Sequence, residues 1–194
     1  MNKAQKYNFS IDTKAENAIM TICKSLKEII NDIYTSHQNI VVLCIGTDRS
    51  TGDSLGPLVG TRLSEALKGS NITVLGTLHE PVHAKNIGDN IEYINSSISN
   101  PFVIAIDASL GRVDKVGYVS IFDGPIRPGA GVNKSLPHIG DIGITGVINV
   151  SGFMEYMVLQ NTRLSLVMDL AEKIASSIYF TLKDYSFSKF SARA

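Results

Sequence analysis

Ile40-Val-Val-Leu-Cys-Ile45 runs into Gly46-Thr-Asp-Arg-Ser-Thr-Gly-Asp-Ser-Leu-Gly56, and a stripe through Leu58, Val59, Leu63, Ala66 and Leu67 follows. An unbroken, β-branched apolar run closed by glycine describes a strand covered on both faces rather than one half in water. The stripe advances in steps of three and four, so it is a helix lying on that sheet, and Gly69 stops it. One strand, one loop and one helix are thus legible in a single stretch.

The same alternation continues downstream. Asn71–Gly76 predicts a second strand, Ile87–Ile98 a helix, Pro101–Asp107 a third strand, Val116–Phe122 a fourth and Ile142–Val150 a fifth. Upstream, Ile19, Ile22, Leu26, Ile29, Ile30 and Ile33 share one helical face at 14–35, and a last helix carries Leu164, Val167, Leu170, Ala171, Ile174 and Ile178. Strands interleaved with helices imply a three-layer α/β sandwich. The connection Ala108–Lys115 is too short for a helical crossover, which predicts an antiparallel third and fourth strand. The expected fold is a mixed, mostly parallel five-stranded sheet in a single domain over 1–194, with a polar lead-in 1–12 and a tail 186–194.

Composition narrows the function classes. At 194 residues, 44% hydrophobic and 19% charged, the chain can bury a sizeable core. With 18 basic against 18 acidic residues the net charge is zero, which weighs against a general nucleic-acid binder. Ile40–Ile45 falls far short of the ~20 apolar residues that span a bilayer, and Met1–Glu16 lacks the apolar core of a signal peptide. Cys23 and Cys44 supply neither a disulfide framework nor a cysteine-rich zinc site, and Cys44 reads as a small buried hydrophobe. A reduced, cytoplasmic setting is expected.

In such sheets ligands bind beyond the carboxyl ends of the strands. Asp48, Arg49 and Asp53 follow the first strand; His79, Glu80 and His83 follow the second; Asp107 ends the third. The loop after the first strand is no phosphate cradle. Gly52 is followed by Asp53-Ser54 rather than Lys-Ser/Thr, and glycines at 46, 52 and 56 miss the G-x-G-x-x-G spacing. Two aspartates would also repel a polyphosphate. Each candidate has a plainer role: Asp53 as a helix N-cap, Asp107 as a brace for the next turn, Asp48 and Arg49 as an exposed ion pair. His37 reads as solvent-facing. His79, His83 and His138 lack a compact ligand motif, Gly129 and Gly131 serve to turn the chain, and Met154, Met157 and Met168 read as core filler.

Taken together, three segments carry a family likeness. Ile45-Gly-Thr-Asp-Arg-Ser-Thr-Gly-Asp-Ser-Leu-Gly-Pro57 resembles the first signature of the germination (spore) proteases, Val103-Ile-Ala-Ile-Asp-Ala-Ser109 the second, and Pro128-Gly-Ala-Gly-Val132 a third, glycine-rich one. The likeness extends in order from about residue 40 to 180. It is nearest to short sporulation proteins of the YyaC family and, more distantly, to hydrogenase maturation endopeptidases.

That resemblance implies a peptidase of a sporulating Gram-positive cell or its spore, acting in the cytoplasm, with small acid-soluble spore proteins as substrates. It places Asp53 and Asp107 at two essential aspartates. Asp48, Arg49, Gly129 and Gly131, on the flanking loops, become the expected substrate-binding positions. Three alternatives stay open. The two carboxyls share a proton and activate water without a cofactor; or they hold a divalent metal with His83 and His138; or the scaffold binds without cutting. Self-association through the first helix is a further option, although an apolar stripe more commonly faces the core.

Overall fold

The computed structural model describes residues 5–128, 136–152 and 154–186. Among them six strands form one sheet: β1 (Asn8–Asp12), β2 (Asn39–Cys44), β3 (Thr73–Leu75), β4 (Pro101–Gly111), β5 (Tyr118–Asp123) and β6 (Ile142–Val150). The helices are α1 (Ala18–Ile33), α2 (Leu55–Ala66), α3 (Ile87–Ser97), α4 (Glu155–Gln160) and α5 (Leu164–Ser186), with 3-10 turns at Gly52–Ser54 and Val113–Lys115. Strand order is β1-β5-β6-β4-β2-β3.

The expectation of a two-sided strand holds residue by residue. Val42 and Cys44 pack into one core with Ile22, Leu26, Leu63 and Ile174 of the helices α1, α2 and α5. Val41, Leu43 and Ile45 pack into the other, with Ile87 and Ile94 of α3. An α/β sandwich of three layers results, and its sheet is mixed: β3, β2, β4 and β6 are parallel neighbours, whereas β5 runs antiparallel to β6 and to β1. Among the described residues no helix is long and apolar enough to cross a membrane.

Two features differ from expectation. The sheet has a sixth strand, β1, inside the polar lead-in. Asn-Phe-Ser-Ile-Asp alternates with the period of a half-buried strand, and Asn8–Asp12 pairs with β5 from Asn8↔Phe122 to Asp12↔Tyr118. Asp123 fixes its start, its carboxylate accepting the Tyr7 and Lys6 N–H groups at 2.7 and 3.2 Å. Secondly, β4 and β5 run in opposite senses but are not neighbours, because β6 lies between them. Arg112–Gly117 has reach enough, at ~3.3 Å per residue, to step over one strand in a sheet spaced at ~4.8 Å. Of the expected tail, Ser186 belongs to α5 and 187–194 lie outside the described residues.

Where β6 begins, Asp141 splices it to β4. Its N–H donates to the Val103 carbonyl at 2.7 Å, and its carboxylate accepts the Val103 N–H at 2.7 Å. Asp141→Ala strands that N–H in a largely buried position, so a loss of about 1–3 kcal/mol is expected in urea unfolding. Asp141→Asn keeps an acceptor and should lose markedly less.

Candidate active site

The sheet delivers Asp53 through a tight turn. β2 leaves the sheet after Ile45, whose N–H donates to the Ile106 carbonyl at 2.7 Å, and Gly46 donates to the Val82 carbonyl at 2.8 Å. Gly46 has φ +148°, and a Cβ there would stand 2.0 Å from the Asp53 carbonyl oxygen and 2.8 Å from Pro57 Cδ. The loop therefore folds back against its own start, held by the Thr47 N–H donating to the Asp53 carbonyl at 3.0 Å. At Gly56 a Cβ would meet the Ile45 carbonyl at 2.1 Å, so the first turn of α2 butts directly on the strand end. These glycines, at the wrong spacing for a nucleotide, serve main-chain packing. Asp53 itself lies within the 3-10 turn, and neither that turn nor α2 has a side-chain cap. The N-cap role is not what this residue does.

Asp107 comes from β4 opposite Thr145 of β6. Its Oδ1 accepts the Ala108 N–H at 2.8 Å, which partly fulfils the expected brace. Burial dominates its chemistry: loss of hydration pushes the carboxyl up to about 8, the Ala108 hydrogen bond opposes this, and the negative charge of Asp53 adds to it. Burial also raises Asp53, against a smaller opposing pull from the Ser50 hydroxyl. Ser50 Oγ is buried and has no partner of ordinary hydrogen-bond geometry. Two acids distant in sequence thus face one space and sense each other. Cys44, by contrast, is a buried thiol pushed far above its usual range, the inert hydrophobe expected.

Asp53 and Asp107 line a cleft of about 1040 Å3, at the upper end of ligand-pocket sizes. His83 and His138 line it too, His138 as an exposed residue. His83 is fixed through its backbone N–H, which donates to Asn86 Oδ1 at 2.8 Å, while its Nδ1 is buried and unpartnered. All four expected metal donors share the cleft, yet among the described residues no three His, Cys, Asp or Glu side chains stand close enough to share one ion. As a ligand sphere the set does not fit.

Asp48 and Arg49 are exposed and do not line the cleft. Gly129 and Gly131 lie outside the described residues. Sequence reasoning missed a part of the lining next to the Asp53 turn, where α4 supplies Glu155, Tyr156 and Leu159, and Arg127 adds an exposed cation. Met154, Met157 and Met168 are 53%, 49% and 42% exposed, so they are not core filler. The only foretaste of α4 was Glu155 standing after Gly152 with apolar residues at no clear period.

Residues 10–177 match the family described as "Protein of unknown function (DUF1256)". The chain is 51% identical over 179 residues to "Uncharacterized protein YyaC" of Bacillus subtilis (strain 168), covering 92% of this chain and 84% of that protein. Among solved structures it is similar to a [NiFe] hydrogenase maturation protease, HycI from Thermococcus kodakarensis KOD1, with a TM-score of 0.50 and 20% identity over 81% of this chain and 98% of that one. At that identity the likeness is one of fold, and it agrees with the layered sheet. By sequence, the chain belongs to the DUF1256 family.

Proposed function

We propose that this chain is a peptidase whose Asp53 and Asp107 activate water against a peptide carbonyl. The supporting observation is the convergence of both carboxyls on one cleft, with the charge of Asp53 helping to keep Asp107 protonated. Unequal environments assign the roles. Asp107, the more strongly raised, is assigned the proton in this scheme, and Asp53, raised by burial against a smaller opposing pull from Ser50, is assigned the part of the base.

Asp53 takes a proton from water as the oxygen attacks the carbonyl carbon, and Asp107 gives its proton to the carbonyl oxygen. In the resulting gem-diol, Asp53 returns its proton to the amide nitrogen while Asp107 recovers one from a hydroxyl. The C–N bond breaks, releasing a carboxylic acid and an amine. Both residues end as they began.

The resemblance to germination proteases makes small acid-soluble spore proteins, in the cytoplasm of the sporulating cell or spore, the first substrates to test. Asp53→Asn and Asp107→Asn are each expected to lower kcat by at least ~100-fold, the lower range for losing a general acid or base. A wild-type rate from either folded variant would defeat the proposal, and a wild-type chain that binds but never cleaves would place the family among scaffolds. Because Asp107 must be protonated, kcat/KM should fall as pH rises through about 8. Dialysis against a chelator is expected to leave the rate unchanged; loss restored by added divalent metal would replace the shared-proton scheme.

A further inference from the structure

We propose that the free edge of β4, from Ala108 to Leu110, seats an extended peptide as an added strand in front of the aspartate pair. This rests on the peptidase reading for its choice of occupant but on the sheet for its geometry. β4 outruns its neighbour: β2 pairs with it only as far as Cys44↔Ile106, whereas β6 accompanies it from Asp107 to Gly111. The chain of β2 turns away at Gly46, and Ala108 and Leu110, beyond the end of its pairing, line the cleft.

Main-chain groups alternate in direction along a strand. The Ile106 carbonyl accepts from Ile45, so it faces β2; the Gly111 carbonyl accepts the Ser151 N–H at 2.8 Å, so it faces β6. By that alternation Ala108 and Leu110 present their groups on the side that β2 has left. The Ala108 N–H is already given to Asp107 Oδ1. Among the described residues no loop or turn backbone group bonds the Ala108 carbonyl or either group of Leu110. A row of unpaired groups inside a cleft is a template for strand addition.

The occupant must itself offer unpaired main-chain groups, which excludes a folded domain or a helix. It is also expected to be largely apolar at alternate positions, because Leu110, Phe122, Ile126, Leu136 and Leu159 line the cleft that it enters. The substrate class is therefore an unfolded or locally unfolded polypeptide segment. Added on β4, its backbone runs past Asp107, and the scissile carbonyl is presented by main-chain register rather than by a single side-chain pocket.

The test begins with the wild-type chain and a pool of tryptic peptides from reduced, alkylated serum albumin, cleavage being read by mass spectrometry. A cleaved peptide is then remade with one backbone N-methyl group at each position in turn. Alternate positions are expected to lose about tenfold or more in kcat/KM, with intervening ones within threefold, since only every second amide faces the edge. Uniform tolerance, or loss over one continuous run, would overturn the added strand while leaving the peptidase standing. If nothing in the pool is cleaved, the peptidase reading is left to the spore-protein assay, and hydrogen exchange of the Leu110 amide with the same pool at millimolar concentration decides the edge. Slowing by tenfold or more supports strand addition; unchanged exchange overturns it.

Discussion

Asp107→Asn is expected to be more stable than the wild-type chain at pH 8 while being inactive. In the unfolded chain Asp107 titrates near ~3.9; in the fold, burial carries it to about 8. Between those values the folded state binds a proton that the unfolded state has released, so folding becomes less favourable as pH rises. The contribution is fully present below the unfolded value and is lost by the folded one, at about 1.4 kcal/mol per pH unit. Asparagine removes the charge and keeps an acceptor for Ala108, so the variant should gain several kcal/mol over wild type at pH 8 and almost none at pH 4. Urea unfolding at the two pH values measures this. A difference independent of pH would mean that the carboxyl is hydrated and unperturbed, and would take the proton from the proposed acid.

Gly46→Ala is expected to be the most damaging single-methyl change in the site. Its Cβ would lie 2.0 Å from a main-chain oxygen, which no rotamer can relieve, on a backbone with φ +148°. Strain of ~1–3 kcal/mol for the dihedral adds to the displacement of the Asp53 turn. A loss of ~4 kcal/mol or more follows, or at least about 8–16 °C in Tm at ~2–4 °C per kcal/mol, together with loss of cleavage because Asp53 moves. Gly69→Ala is the control. It too has positive φ, +82°, but nothing within 4 Å of its Cβ, so it should cost only about 1 kcal/mol and spare activity. Equal losses in both would assign the effect to the dihedral alone.

Local chemistry was legible in the amino-acid order, and long-range placement was not. Val41–Ile45 announces burial on both faces because each residue is apolar, and Asp53 and Asp107 stand where strands of a parallel sheet open. Hydrophobic periodicity cannot say which strand lies beside which, so β6 between β4 and β5 went unread. β1 was hidden for another reason: a short edge strand needs only Phe9 and Ile11 to be apolar, and two residues do not rise above a polar background. α4 is too short to show a period, and Met154, just before it, and Met157, within it, are exposed. That part of the site's lining was invisible for that reason.

The position of β6 bears on how the molecule is made. It is the last of the described strands to be synthesised, yet it occupies the middle of the sheet, with β4 on one side and β5 on the other. A nascent chain that ends before Ile142 therefore carries two separate strand groups, β3-β2-β4 and β1-β5, each exposing an apolar border meant for the missing piece. Such borders attract foreign strands. Assembly of the sheet must await synthesis of Ile142–Val150, and pairings between strands so far apart in sequence form more slowly than local ones.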